Sequence, residues 1–203
     1  MLWKNGVATP LTDGTQNATA TSVAVSGGDV YVVGSESNRT HDVAKVWKNG
    51  AATSLTDGTQ NAYPRSVAVS GSDVYVAGWE SSGTHEVGVV WKNGVATKLE
   101  DGTRNAYPCS VAVSGNDVYV AGSDSGDAVV WKNGVATQLA QRAVDAAANS
   151  VAISEGDVYV AGYEGMNTHE FNWAALWRNG VVTQLTDGVF EAGVANFVLL
   201  KSQ

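Results

Sequence analysis

Cysteine, basic residues and long apolar runs are all scarce in this chain. One cysteine, Cys109, in 203 residues excludes an intrachain disulfide framework and leaves the redox compartment open. Lysine and arginine total 12 against 20 acids, a formal charge of −8. Phosphate backbones and anionic bilayers both need a basic surface, so nucleic acid and membrane-surface partners are excluded. No apolar run approaches the ~18 residues of a transmembrane helix, so no membrane insertion is expected. The opening MLWKNGV has neither the basic nor the apolar region of a signal peptide. No window carries a helical stripe; only the alanine-rich patch at 143–148 is ambiguous. Charged residues are sparse and aliphatic ones plentiful, which indicates a packed chain and not a disordered one.

What the chain has instead is repetition. Trp3, Trp47, Trp91, Trp131 and Trp177 each open a W-[KR]-N-G phrase, at spacings of 44, 44, 40 and 46. The phrase SVAVSGSDVYVAG from Ser66 returns with small changes from Ser22, Ser110 and Ser150. Residues 47–78 and 91–122 are identical at 26 of 32 positions, the mark of one duplicated structural unit.

Within a unit the apolar period is two. Val67 and Val69 share a face, as do Val74 and Val76, then Val87, Val89 and Trp91, then Val95 and Leu99. Asn5-Gly6, Asn49-Gly50, Asn93-Gly94, Asn133-Gly134 and Asn179-Gly180 supply the two positive φ angles of a type I′ hairpin. Each unit therefore reads as four antiparallel strands, A to D. Strand D, with Pro10, Ser54, Lys98, Gln138 and Gln184 at its middle, suits an exposed edge.

Four-stranded units repeating every 40–46 residues predict an all-β, five-bladed β-propeller forming a single domain over 1–203. Full blades are placed at about 22–57, 66–101, 110–140 and 150–187. A mixed, incomplete blade from 1–13 and 195–203 is closed by both termini. A monomer is favoured, with oligomers formed through the incomplete blade as the alternative.

Up-and-down order puts the tight A–B and C–D turns at one end of each blade and the longer connections at the other. The D–A step, as from Leu55 to Ser66, is always 11; the B–C step, as from Gly78 to Trp91, is 13, 13, 9 and 15. Binding is expected where loops vary on a rigid frame. An acid follows strand B in every unit: Glu36, Glu80, Asp124 and Glu164. Either these carboxylates accept backbone hydrogen bonds, or Trp79-Glu80 and Tyr163-Glu164 pair a sugar-stacking ring with a carboxylate for sugar hydroxyls. Tyr63 and Tyr107, each before a proline, either pack inward or line a groove between blades. The Asp-Gly-Thr strings read as turns, because the further carboxylates of a calcium loop are missing. The histidines recur as Thr-His-Asp/Glu at His41, His85 and His169 and read as loop pairing, since blades spread them apart. Neither a cofactor nor a metal is expected, and no unique acid pair or nucleophile constellation marks an active site.

The W-[KR]-N-G, L-T-D-G and D-V-Y-V-A-G phrases resemble repeats of uncharacterised bacterial β-propeller proteins, many of them secreted or envelope-attached. That resemblance implies an extracellular or cell-envelope location. The five-unit count is loosely similar to tachylectin-type propeller lectins, a likeness of fold alone.

The resulting expectation is a non-enzymatic, lectin-like module that binds carbohydrate in repeated grooves between blades. Trp79, Glu80, Tyr63, Tyr107, Tyr163 and Glu164 are its candidate contacts. The alternative is a protein–protein scaffold or a structural domain of a larger cell-envelope protein. A hydrolase would be signalled by one non-repeated acid cluster.

Overall fold

Period-two segments separated by tight turns become strands throughout. The computed structural model of the chain describes residues 1–140, 145–165 and 172–186, and these hold eighteen strands and no helix. By compactness the chain divides into two units, Met1–Thr103 and Arg104–Gln203.

The first unit holds three antiparallel sheets. One is a hairpin of β1 (Leu2–Lys4) and β2 (Val7–Thr9). The next runs in the order β3 (Ala18–Ser26), β4 (Asp29–Ser37), β5 (Asp42–Lys48), β6 (Ala51–Ser54). The third repeats it with β7 (Ala62–Ser70), β8 (Asp73–Ser81), β9 (Glu86–Lys92) and β10 (Val95–Lys98). The second unit holds β11 (Ala106–Ser114), β12 (Asp117–Asp124), β13 (Asp127–Lys132) and β14 (Val135–Gln138) in one sheet. Its other sheet is β15 (Ala146–Ser154), β16 (Asp157–Gly165), β17 (Asn172–Arg178) and β18 (Val181–Gln184).

The Asn-Gly turns have the expected left-handed geometry, with Asn93 at φ 52° and Gly94 at 83°. The fourth strand of each full sheet is exposed along its whole length, as an edge should be. The first strand is longer than expected: it begins at Ala18, Ala62, Ala106 and Ala146, four residues before the SVAV-type phrase. The alanine-rich patch is therefore strand from Ala146 onward; residues 141–144 lie outside the described part. The proposed closing segment 195–203 also lies outside it.

Within each unit the neighbouring four-stranded sheets bury apolar residues against each other. In the first unit, Tyr31, Val33 and Ala44 of the β3–β6 sheet meet Val67, Val76, Val89 and Trp91 of the β7–β10 sheet. In the second, Ala121 and Ala128 meet Ala146, Val151, Val160 and Trp177. Trp47, Trp91, Trp131 and Trp177 are fully buried, whereas Trp3, in the same phrase on the two-stranded hairpin, is 67% exposed.

Candidate functional site

The most distinctive site is built at the start of β7. Tyr63 lies opposite Trp79 on β8, Pro64 lies opposite Gly78, and the register slips between Pro64 and Ser66. Arg65 is thus the extra residue of a β-bulge, which bends the strand and re-aims its side chain. Gly78 is required by that geometry: a Cβ there would stand 2.3 Å from the Tyr63 carbonyl oxygen. Pro64 is tolerated because β7 is an edge of its sheet and owes no ladder hydrogen bond on its outer side.

The Tyr63 and Trp79 rings sit 5.9 Å apart at 45°, and the Arg65 guanidinium lies over the indole at 5.6 Å. Together with Thr19, Thr21, Ser35 and Asp42 of the preceding sheet they line a groove of about 310 Å³. Two contacts clamp the strands that form it. Thr21 Oγ1 donates to the Pro64 carbonyl at 2.7 Å, and the Val67 N–H donates to Ser22 Oγ at 3.3 Å. Burial, and then the adjacent Asp42 carboxylate, pushes the Tyr63 phenol above its ordinary pKa.

Trp79 and Glu80 do not share a site, contrary to expectation. Both lie within β8, not after it, so successive side chains leave on opposite faces. Glu80 lines a separate cavity of about 330 Å³ with Thr56, Asp57, Gln60 and Asn61 of the preceding connection. Burial pushes its carboxyl above the usual range. The nearby Trp91 indole N–H works against that rise, although it makes no hydrogen bond of normal geometry.

The other candidates are scattered. Tyr107 faces Ser123 across the ladder, and Tyr163 faces Ala147, so neither stands opposite an aromatic residue on the adjacent strand as Tyr63 does. Tyr163 donates to Asp145 at 3.5 Å, and burial with that carboxylate raises its pKa. Glu164 lies between Ala146 and Trp173 in its sheet, its carboxyl raised by burial and held back by the Trp173 and Trp177 side chains. Of the remaining recurrent acids, Glu36 pairs with Lys45 and Asp124 with Arg104. The candidate residues thus stand in different surroundings, and Tyr63 with Trp79 is the pair whose rings meet in a groove.

The Asp-Gly-Thr strings are turns. Asp57 accepts hydrogen bonds from the Thr59 N–H and hydroxyl at 2.9 and 2.7 Å, and Asp13 and Asp101 repeat the pattern. His85 Nδ1 lies 3.1 Å from Thr84 Oγ1; His169 is outside the described residues. Among the described residues no three His, Cys, Asp or Glu side chains converge as metal ligands.

Two features were missed in the sequence. One is Arg65 with Asp42, visible only as a position where the repeat changes. The other is a clasp at the tight-turn end of every full sheet. Asp73 accepts from Lys92 and Asn93, both at 2.8 Å, while Lys92 caps the Tyr75 ring at 5.2 Å. Asp29, Asp117 and Asp157 do the same with Lys48, Lys132 and Arg178. The Lys92 ammonium, then Asn93, holds Asp73 below the usual carboxylate range. Its sequence signal was the pairing of D-V-Y with W-[KR]-N-G.

No protein-family model and no curated protein matches the sequence. Solved structures do. A chain from Agrobacterium tumefaciens assigned as TolB is 14% identical with a TM-score of 0.55, over 82% of this chain and 63% of that one. The present chain thus spans less than two thirds of it. The fold is a β-propeller. A GH62 α-L-arabinofuranosidase catalytic domain from Coprinopsis cinerea is 13% identical with a TM-score of 0.49, over 91% of this chain and 73% of that one. An α-L-arabinofuranosidase from Clostridium thermocellum, CtGH43, is 12% identical with a TM-score of 0.41, over 81% and 70%.

The expectation that the chain is not an enzyme is withdrawn: enzymes are among the solved structures similar to it. That expectation rested on the symmetry of the repeats, which leaves no singular site. The sheet bearing Tyr63, Arg65 and Trp79 breaks that symmetry.

Proposed function

We propose that the groove of Tyr63, Arg65 and Trp79 binds carbohydrate. The observation that carries this reading is the Tyr63–Trp79 pair set beside polar side chains in one groove. A sugar presents an apolar C–H face and a rim of hydroxyls. An indole takes the first, and Asp42, Ser35, Thr19 and Thr21 offer acceptors and donors for the second. A volume of about 310 Å³ lies at the small end of ligand pockets, which suits one or two sugar units. Clamped strands on both sides make the groove pre-formed, so little ordering cost falls on binding.

A glycan array probed in parallel with the wild-type chain and Trp79→Ala tests it. The expected result is a defined set of hits that weaken about tenfold or more in the variant. An array without hits, or hits that the substitution leaves unchanged, refutes the proposal.

A further inference from the structure

We infer that this groove selects sugars bearing a carboxylate, uronic acid residues, and that Arg65 is the group that reads the charge; the inference rests on the carbohydrate reading of the groove. The repeat itself points to Arg65. Sheets built from nearly identical phrases differ at few positions, so a difference that falls in a groove is informative. Where this sheet has Arg65, the equivalent bulge positions carry Thr21, Cys109 and Asn149. Where it has Trp79, they carry Ser35, Ser123 and Tyr163. The arginine and the tryptophan thus occur together once, and they touch.

Arg65 is also unspent. Six of the ten described lysines and arginines are ion-paired: Lys45, Lys48, Lys92, Arg104, Lys132 and Arg178. Arg65 has no ion pair among the described residues, in a chain whose acids outnumber its bases. Its guanidinium rests over the Trp79 ring, which supports the guanidinium plane and leaves the N–H fork for a ligand. That fork matches a carboxylate with two parallel charge-assisted hydrogen bonds.

Asp42 gives the bound sugar a direction. Its backbone N–H is taken by Asn61 Oδ1 at 2.9 Å, and its carboxylate lies beside the Tyr63 hydroxyl. It accepts from sugar hydroxyls and repels a second carboxylate, so the acidic group is seated at the Arg65 end while the sugar ring lies on Trp79.

Titration of the chain with trigalacturonic acid, its methyl ester and a sulfated neutral trisaccharide, followed by calorimetry, tests the inference. The acid is expected to bind about fivefold or more tightly than its ester, a factor at the low end because Arg65 is solvent-exposed. Arg65→Asn, which places the residue found at Asn149 and is checked for an unchanged thermal melt, is expected to abolish that preference. Equal binding of acid and ester, a preference retained in the variant, or tighter binding of the sulfate overturns the inference while leaving the carbohydrate reading in place. Binding of none of the probes, with an empty glycan array, overturns both.

Discussion

Trp3 and Trp91 open the same W-K-N-G phrase but stand in opposite environments, which makes them a matched pair for testing the packing. Trp91 is 0% exposed and lies among Val76, Val87 and Val89; Trp3 is 67% exposed. Burying a side chain of about 200 Å² at about 25 cal/mol per Å² is worth about 5 kcal/mol as an upper estimate. Measured truncations of buried tryptophan to alanine cost about 3–5 kcal/mol. Trp91→Ala is expected in that range, while Trp3→Ala, with most of its surface already in water, should cost about 1 kcal/mol or less. At about 2–4 °C per kcal/mol for a chain of this size, the first substitution lowers Tm by about 6–20 °C and the second by only a few degrees. Urea unfolding followed by near-UV circular dichroism, with thermal scans, reads both. Equal costs would mean that Trp3 is buried in solution and that the first hairpin is packed otherwise than described.

Four further outcomes follow from the same geometry. Asn93 accepts from the Val74 N–H at 2.9 Å, donates to Asp73 at 2.8 Å and sits at φ 52°. Asn93→Ala should therefore cost about 1–3 kcal/mol in urea unfolding, with Asn93→Gly recovering the backbone part alone. Gly78→Ala places a methyl 2.3 Å from the Tyr63 carbonyl oxygen and is expected to cost about 1–3 kcal/mol while displacing Tyr63 and weakening sugar binding; unchanged stability would contradict the bulge. Glu80 has a raised folded pKa, so the folded state holds its proton more tightly than the unfolded chain. Its stabilising contribution is fully present below the unfolded value of about 4.3 and is lost as pH rises through the folded value. Tm profiles of wild type and Glu80→Gln should diverge across that window, and parallel profiles would remove the effect. Asp73 and its three counterparts act oppositely, contributing above about pH 4 and losing that contribution as pH falls through their lowered values.

How much was legible can be judged from particular residues. The period of two and the Asn-Gly turns are local properties and appear where the sequence put them. The edge strand is shorter than read: it ends at Ser54, Lys98, Gln138 and Gln184, the residues expected at its middle, and Pro10 follows β2. The start of the first strand was hidden by proline in two of the four full sheets. Pro64 and Pro108 read as loop punctuation, yet both are buried in strands, because an edge strand with a bulge tolerates a residue without an N–H. That shift has consequences for the site. Once Trp79 and Glu80 belong to a strand, alternation sends them to different cavities, and the adjacency that made them look like one site separates them. Repetition also misled: copies of one phrase suggested copies of one site, whereas the positions that depart from the phrase, Arg65 and Trp79, are the ones that meet in the groove. Asp42 was out of reach of sequence reasoning, since it comes from the neighbouring sheet.

The central claim is that a sugar stacks on Trp79, and the indole N–H resonances of the chain test it most directly. Trp47, Trp91, Trp131, Trp173 and Trp177 are buried and serve as internal references, while Trp79 lines the groove. In a ¹H–¹⁵N titration with a ligand from the glycan array, the account predicts a saturable shift of the Trp79 indole with the five buried indoles unmoved. A saturable response that spares Trp79, or that moves the buried indoles together, would contradict it.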